Sequence, residues 1–267
     1  MPRRSSTTTS STAAHCVITY PPFTSPCRPP LAGRPQARAA ARSLAMLVGD
    51  HLMALAGQLF ATSGLPAAYL ARARPMWAEL ARELIAGECL EILTTGAHPD
   101  PDVSMKVVRY KTAKYTVEQP LLIGALLAGA SPQLRATLSA YGLPLGEAFQ
   151  LRDDLLGLFG EPERTGKAGL DDIRGRRPTA LLAKTWQAAL PAQREQLAGV
   201  LGRRDLNEKH LRDVRELMVT LKAPEQVENM IASRVQEAVG HLGGLDTSQQ
   251  ARRALTALAH SATDRRN

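Results

Sequence analysis

An all-α protein is predicted, and three features of the sequence predict it. Aromatic residues make up only 4% of the chain, while Ala and Leu dominate from about residue 40 onward, a composition suited to packed helices more than to sheets. Helix starts are punctuated: Ser131-Pro132 places a cap residue before a proline at the first helical position. Asp205-Leu206-Asn207-Glu208 and Thr247-Ser248-Gln249-Gln250 both have capping-box spacing. No stretch supports a strand. Taken in order, the apolar periodicity starts at Arg42 and predicts helices over 42–61, 66–95 and 104–129. The Ser131 cap opens 132–141, and the turn Gly142-Leu143-Pro144 ends it and opens 144–159. Helices at 178–189 and 192–201 follow, then 206–221 and 248–265 behind the two capping boxes, with 224–241 between them after Ala223-Pro224. Short connections of this kind favour antiparallel neighbours in a bundle, and no fixed period points to a solenoid.

A chain of 267 residues that is 44% hydrophobic can bury a sizeable core. The net charge of +8 is unevenly placed. No Asp or Glu precedes Asp50, and the six arginines of that head (Arg3, Arg4, Arg28, Arg34, Arg38, Arg42) account for all but about two of the charges. No general basic footprint for nucleic acid remains. Cys16, Cys27 and Cys89 form no CxxC pair and have no His cluster to complete a zinc site, so a reducing, cytoplasmic setting is expected. The longest uninterrupted apolar stretch, Pro120 to Ala130, falls short of the roughly 20 residues that cross a bilayer. No transmembrane segment is expected. Residues 1–41 are Ser-, Thr-, Pro- and Arg-rich, and read as a disordered or aberrant segment or a transit peptide. Residues 42–267 read as one helical domain.

The stretch FQLRDDLLGLFGEPERTGK, 149–167, carries two adjacent aspartates inside an apolar helix. Gln150, Asp153, Asp154 and Gly157 fall at i, i+3, i+4 and i+7, on one face. Two unpaired buried carboxylates are costly, so the face either meets water and basic neighbours such as Arg152, or binds a divalent cation. Mg2+ suits the second case, since it takes one or two carboxylates and completes its shell with water and phosphate oxygens. Basic groups flank the pair in sequence: Tyr110-Lys111-Thr112-Ala113, Thr165-Gly166-Lys167, and Asp171-Asp172 with Arg174, Arg176 and Arg177 before Thr179. Cations around a carboxylate-held metal are what a diphosphate leaving group requires.

From about Ser43 onward these segments resemble the isoprenyl (polyprenyl) diphosphate synthases, especially bacterial geranylgeranyl-type enzymes. The family's second aspartate motif is matched by Phe149, Gln150, Asp153, Asp154, Gly160, Gly166 and Lys167, then Asp172 to Thr179. LVGDHLMALA, with Gly49 and Asp50, is similar to a further family helix, and YKTAKYTVEQPLLIGALLAGA to another. The resemblance implies an isoprenoid-synthase-type antiparallel bundle, a homodimer, and a prenyl transfer. Asp153 and Asp154 would ligate Mg2+, Lys111 and Lys167 would bind diphosphate oxygens, and Gln150 and Thr112 would line the path of the cation. Three departures stand out: Gly157 replaces the motif's third aspartate, Arg177 a lysine, and Glu88 in GECLEI, 87–92, the usual Gln. Asp50 reads equally as a functional group or as a buried structural partner, and His51 and Cys89 read as packing residues.

The implied chemistry joins isopentenyl diphosphate to an allylic diphosphate through an allylic carbocation. The family's first motif, DDxxD, is absent from the sequence, so the bundle is expected to be N-terminally incomplete and the chain inactive as written. A non-catalytic subunit that modulates an active partner, and a terpene cyclase, are the alternatives. One expectation concerns the gene. Reading the last base of each codon with the first two of the next, and taking TCN serine codons, lets Ser6 to Thr12 encode apolar-His-Asp-Asp-apolar-apolar-Asp. In the same frame Pro21 to Thr24 can encode Pro-Thr-Val-His. The first motif is therefore expected in a shifted frame upstream of Arg42.

Overall fold

The computed structural model describes residues 37–160, 170–203, 205–245 and 247–265, and every regular element among them is helical. Lys167 and the proposed out-of-frame segment lie outside the described residues. Two compact units are formed, Met1–Pro66 and Ala67–Asn267.

The first unit contains α1, Ala37–Ala61. Leu44, Met46, Leu47, Leu52, Met53 and Leu59 are all exposed on it. Asp50 and His51 are exposed as well, so Asp50 is not a buried structural partner and His51 is not a packing residue. Within α1, Ala39–Ala61 has a mean hydropathy of 1.4 and is long and apolar enough to cross a membrane by length and composition. A search for uninterrupted apolar runs misses it because Arg42, Ser43, Asp50, His51 and Gln58 interrupt the sequence.

In the second unit α2, Ala67–Thr94, is followed by α3, Pro101–Val107, then a π-helical segment π1, Val108–Glu118, and α4, Gln119–Leu127. Residues 104–129 were expected to be one helix. A proline at the first position and the Asp100 cap, whose carboxylate accepts from the Asp102 and Val103 amides, instead start α3 at Pro101. The widened turns of π1 are marked by the Gln119 amide donating to the Lys114 carbonyl, five residues back.

The two helices expected at 132–141 and 144–159 are one, α5, Pro132–Phe159, with Pro144 inside it. Proline removes one backbone donor from a helix interior, but here Tyr141, Gly142, Pro144 and Leu145 are all buried, and packing overrides the local break. Ser131 caps α5 as predicted, accepting from the Leu134 amide. After α6, Leu170–Gly175, come α7, Ala180–Ala188, and α8, Pro191–Val200. Next are α9, Glu208–Thr220, α10, Ala223–His241, a 3-10 turn over Leu242–Gly244, and α11, Gln249–Thr263. Two caps shift from the expected residue. Asn207, not Asp205, accepts from the Lys209 and His210 amides, while Asp205 is held by Arg203 at 2.7 Å. Ser248, not Thr247, caps α11 through the Ala251 amide.

α5 is the hub, packed against π1, α4, α7, α10 and α11. Its Ala148, Leu151, Leu155 and Leu158 join Leu181, Leu182, Val214, Met218, Val227 and Ile231 in the larger core. Its Tyr141 and Leu145 join Ala238, Leu242, Leu245 and Ala259 in a second. The Tyr141 hydroxyl is satisfied by the Leu255 carbonyl at 2.8 Å.

Candidate diphosphate site

The placement of Lys111 and Thr112 follows from three glycines. A Cβ on Gly87 of α2 would collide with the backbone of Tyr110 and Lys111. On α5, a Cβ at Gly142 would stand 2.9 Å from the Glu118 Cα, and one at Gly146 would stand 2.6 Å from the Ala113 Cα. π1 is therefore held at backbone contact between α2 and α5, where any side chain would push it away. Charge fixes its register. Lys114 Nζ meets both oxygens of Glu83 at 2.8 Å, and Lys111 pairs with Glu91 and, at 3.4 Å, Glu88. Glu83, Gly87 and Glu91 are spaced by four and form one ridge of α2. On the other flank the buried Glu147 of α5 accepts from Arg109 of π1 at 2.8 Å through one oxygen and from Arg234 of α10 at 2.8 Å through the other.

A cavity of about 220 Å³ opens between these elements, lined by Glu91, Lys111, Thr112, Gln150, Asp153, Asp154, Gly157, Asp172, Arg177 and Thr179 among others. The i, i+3, i+4, i+7 face of α5 thus looks into one polar chamber. The Thr112 hydroxyl donates to Gln150 Oε1 at 2.8 Å, and Gln150 Nε2 donates to Asp154 Oδ1 at 2.8 Å. Asp154 Oδ2 accepts from the Ala180 amide at 3.2 Å, at the start of α7. Burial pushes the Asp154 carboxyl up to about 7, and the neighbouring Asp172 and Asp153 charges add to the rise while the Gln150 and Ala180 hydrogen bonds oppose it. Asp153 is more open and accepts at Oδ1 from Arg265 at 2.9 Å.

Arg152 does not neutralise this pair. It points to the far side of α5, bidentate on Glu228 and donating to the Thr263 carbonyl at 2.7 Å. There it borders a larger cleft of about 1090 Å³ walled by Leu155, Leu156, Phe159, Ile231, Val235 and Val239. That cleft has size but lacks the paired carboxylates that line the smaller chamber.

Of the residues singled out in the sequence, Lys111, Thr112, Gln150, Asp153, Asp154 and Arg177 come together around this chamber. Cys89, expected in packing, is exposed. Two groups, Glu91 and Arg265, were missed, and Asp172, named within the motif, was given no role of its own. Glu91 lies in the same GECLEI segment whose Glu88 drew attention. Asp172 sits beside Gly157, where a Cβ would be 3.3 Å from its Oδ2, so a carboxylate adjoins the position where the third aspartate is lacking. Arg265, 112 residues from Asp153, had no local signal.

The sequence model of the polyprenyl synthetase family matches residues 33–218. The chain belongs to this family. It is 38% identical over 151 residues to a (2E,6E)-farnesyl diphosphate synthase of Mycobacterium tuberculosis, covering 55% of this chain and 40% of that protein. It is 29% identical over 239 residues to the octaprenyl diphosphate synthase of Escherichia coli, covering 87% and 70%. Among solved structures, a geranylgeranyl pyrophosphate synthase from Corynebacterium glutamicum, complexed with isoprenyl diphosphate and magnesium, superposes with a TM-score of 0.82. Its identity is 37%, over 86% of this chain and 65% of that one. The chain therefore spans less than two thirds of the mycobacterial and corynebacterial relatives, and its all-α fold is that of the family.

Proposed function

We propose that the chain forms the allylic-diphosphate wall of an isoprenyl diphosphate synthase, a cytoplasmic prenyltransferase that joins isopentenyl diphosphate to an allylic diphosphate of the geranylgeranyl or a similar series. The observation that carries this reading is the convergence of Lys111, Thr112, Gln150, Asp153, Asp154 and Arg177 on one chamber. Mg2+ fits the donor set. Asp154 is a buried carboxyl raised to about 7 by burial and by neighbouring carboxylates, a rise that a cation would reverse. Mg2+ is an ion content with one or two carboxylates and substrate oxygens. Asp153 and Asp154 would hold it, and when bound it supplies charge stabilisation to the departing diphosphate.

The chain's own residues do the rest. Lys111, released from Glu91 and Glu88, and Arg177 meet the diphosphate oxygens; Lys167 is assigned the same task. Thr112 and Gln150, locked to each other at 2.8 Å, turn oxygen dipoles toward the carbon that becomes cationic. The surrounding helices exclude water from it. The lysine and threonine of π1 also favour a synthase over a cyclase. The exposed Ile85, Ile92 and Leu93 of α2 support a homodimer.

The test is product analysis with farnesyl and isopentenyl diphosphates and Mg2+, for the chain alone and with the upstream frame restored. Elongated prenyl products from the restored protein are expected. Cyclised hydrocarbon, or no product from the restored protein, would overturn the reading.

A further inference from the structure

Arg265, the second residue after α11, is held in a definite pose. Its Nε donates to the Ala262 carbonyl at 3.0 Å, its guanidinium lies 4.4 Å over the Phe149 ring, and one terminal nitrogen donates to Asp153 Oδ1 at 2.9 Å. Phe149 and Asp153 are one helical turn apart on α5, so the guanidinium lies along the face of α5 that bears the carboxylates. Arginine cannot shed its charge, and its planar fork suits a carboxylate while stacking on an aromatic ring. A divalent cation ligated by Asp153 would approach the same carboxylate. Two cations on one exposed carboxylate repel each other, so occupancy by one weakens the other.

We propose that Arg265 is an internal competitor for the divalent metal at Asp153: metal entry displaces the guanidinium from Oδ1. The proposal rests on the reading of Asp153 as a metal ligand. It gives the end of α11 a task at the site beyond docking, because a purely structural Arg265 would leave metal affinity untouched. Both side chains are a little over a third exposed, 36% for Arg265 and 38% for Asp153, so the competition is modest.

The experiment is a Mn2+ titration of the full chain by calorimetry or by loss of the free-ion paramagnetic resonance signal, on the wild type, Arg265→Gln and Asp153→Asn. Thermal melts of each variant verify folding. Arg265→Gln is expected to bind Mn2+ roughly two- to fivefold more tightly, the range that a partly exposed ion pair supports. The gain should shrink in 1 M KCl, where the Debye length falls to about 3 Å. Arg265→Lys, which keeps the charge, should stay near the wild type. Unchanged or weaker Mn2+ binding by Arg265→Gln, beside a clear loss in Asp153→Asn, would overturn the competition alone. Equal binding by the wild type and Asp153→Asn would instead remove the metal reading of Asp153, and this proposal with it.

Discussion

Gly146 of α5 approaches Ala113 of π1 so closely that a Cβ would stand 2.6 Å from both the Cα and the carbonyl oxygen of Ala113. Because the obstacle is backbone, a side chain there must move a helix. Gly146→Ala is expected to cost about 1–3 kcal/mol in urea unfolding and to weaken pyrophosphate binding by shifting Lys111. Gly124→Ala is the control: nothing lies within 4 Å of its Cβ position, and it should be neutral or stabilising by up to about 1 kcal/mol.

Glu147 is a buried anion shared by two arginines from different elements. Truncation to Ala removes the shared partner of Arg109 and Arg234, which are partly solvated, and is expected to cost about 1.5–3 kcal/mol. Equilibrium denaturation measures it, and a loss below about 1 kcal/mol would contradict the clamp.

In an assembly that elongates prenyl chains, Asp153→Asn should keep the fold and lower turnover by roughly 10²-fold or more, as loss of charge stabilisation at a leaving group does. Steady-state kinetics on the folded variant test this. Unchanged turnover would remove Asp153 from the mechanism.

The pH dependence has a definite sign. Burial raises the Asp154 carboxyl from its ordinary 3.8 to about 7, so between these values the folded state holds a proton that the unfolded state has already lost. Stability from this group is unaffected below the unfolded pKa, falls as pH rises between the two values, and levels off above about 7. In chelator, the melting temperature of the wild type should fall relative to that of Asp154→Asn as pH rises through this window. Mg2+ should reverse part of the fall, because it replaces the proton.

The 267-residue polypeptide alone is expected to show no chain elongation, since its sequence contains no DDxxD motif to face Asp153 and Asp154. Radiolabelled isopentenyl diphosphate incorporated into longer products by the purified chain would contradict this.

The helical class was legible because Ala and Leu, capping serines and proline starts act locally. The face bearing Gln150, Asp153, Asp154 and Gly157 was legible because helical spacing is a short-range rule. What could not be read was set by distant packing. Pro144 sits inside α5 because its surroundings bury it, and π1 takes its widened turns between Gly87 and Gly146. Glu91, Asp172 and Arg265 reach the chamber only through helix placement. Lys111 was found, but its ion pair with Glu91 was not, since that contact joins separate helices.

The widened turns of π1 make the segment sensitive to length as much as to composition. Lys111 and Lys114 answer to Glu91 and Glu83 on the ridge of α2, while Ala113 and Glu118 rest on Gly146 and Gly142. Deleting Tyr110 would relax part of the segment toward an ordinary α-helix and rotate what precedes the deletion by about 100°. Arg109 would leave Glu147 while Lys114 kept Glu83. Insertions and deletions should therefore be tolerated in the connections before α3 and after α4 and excluded within π1, a pattern that a deletion scan scored by folding yield would reveal.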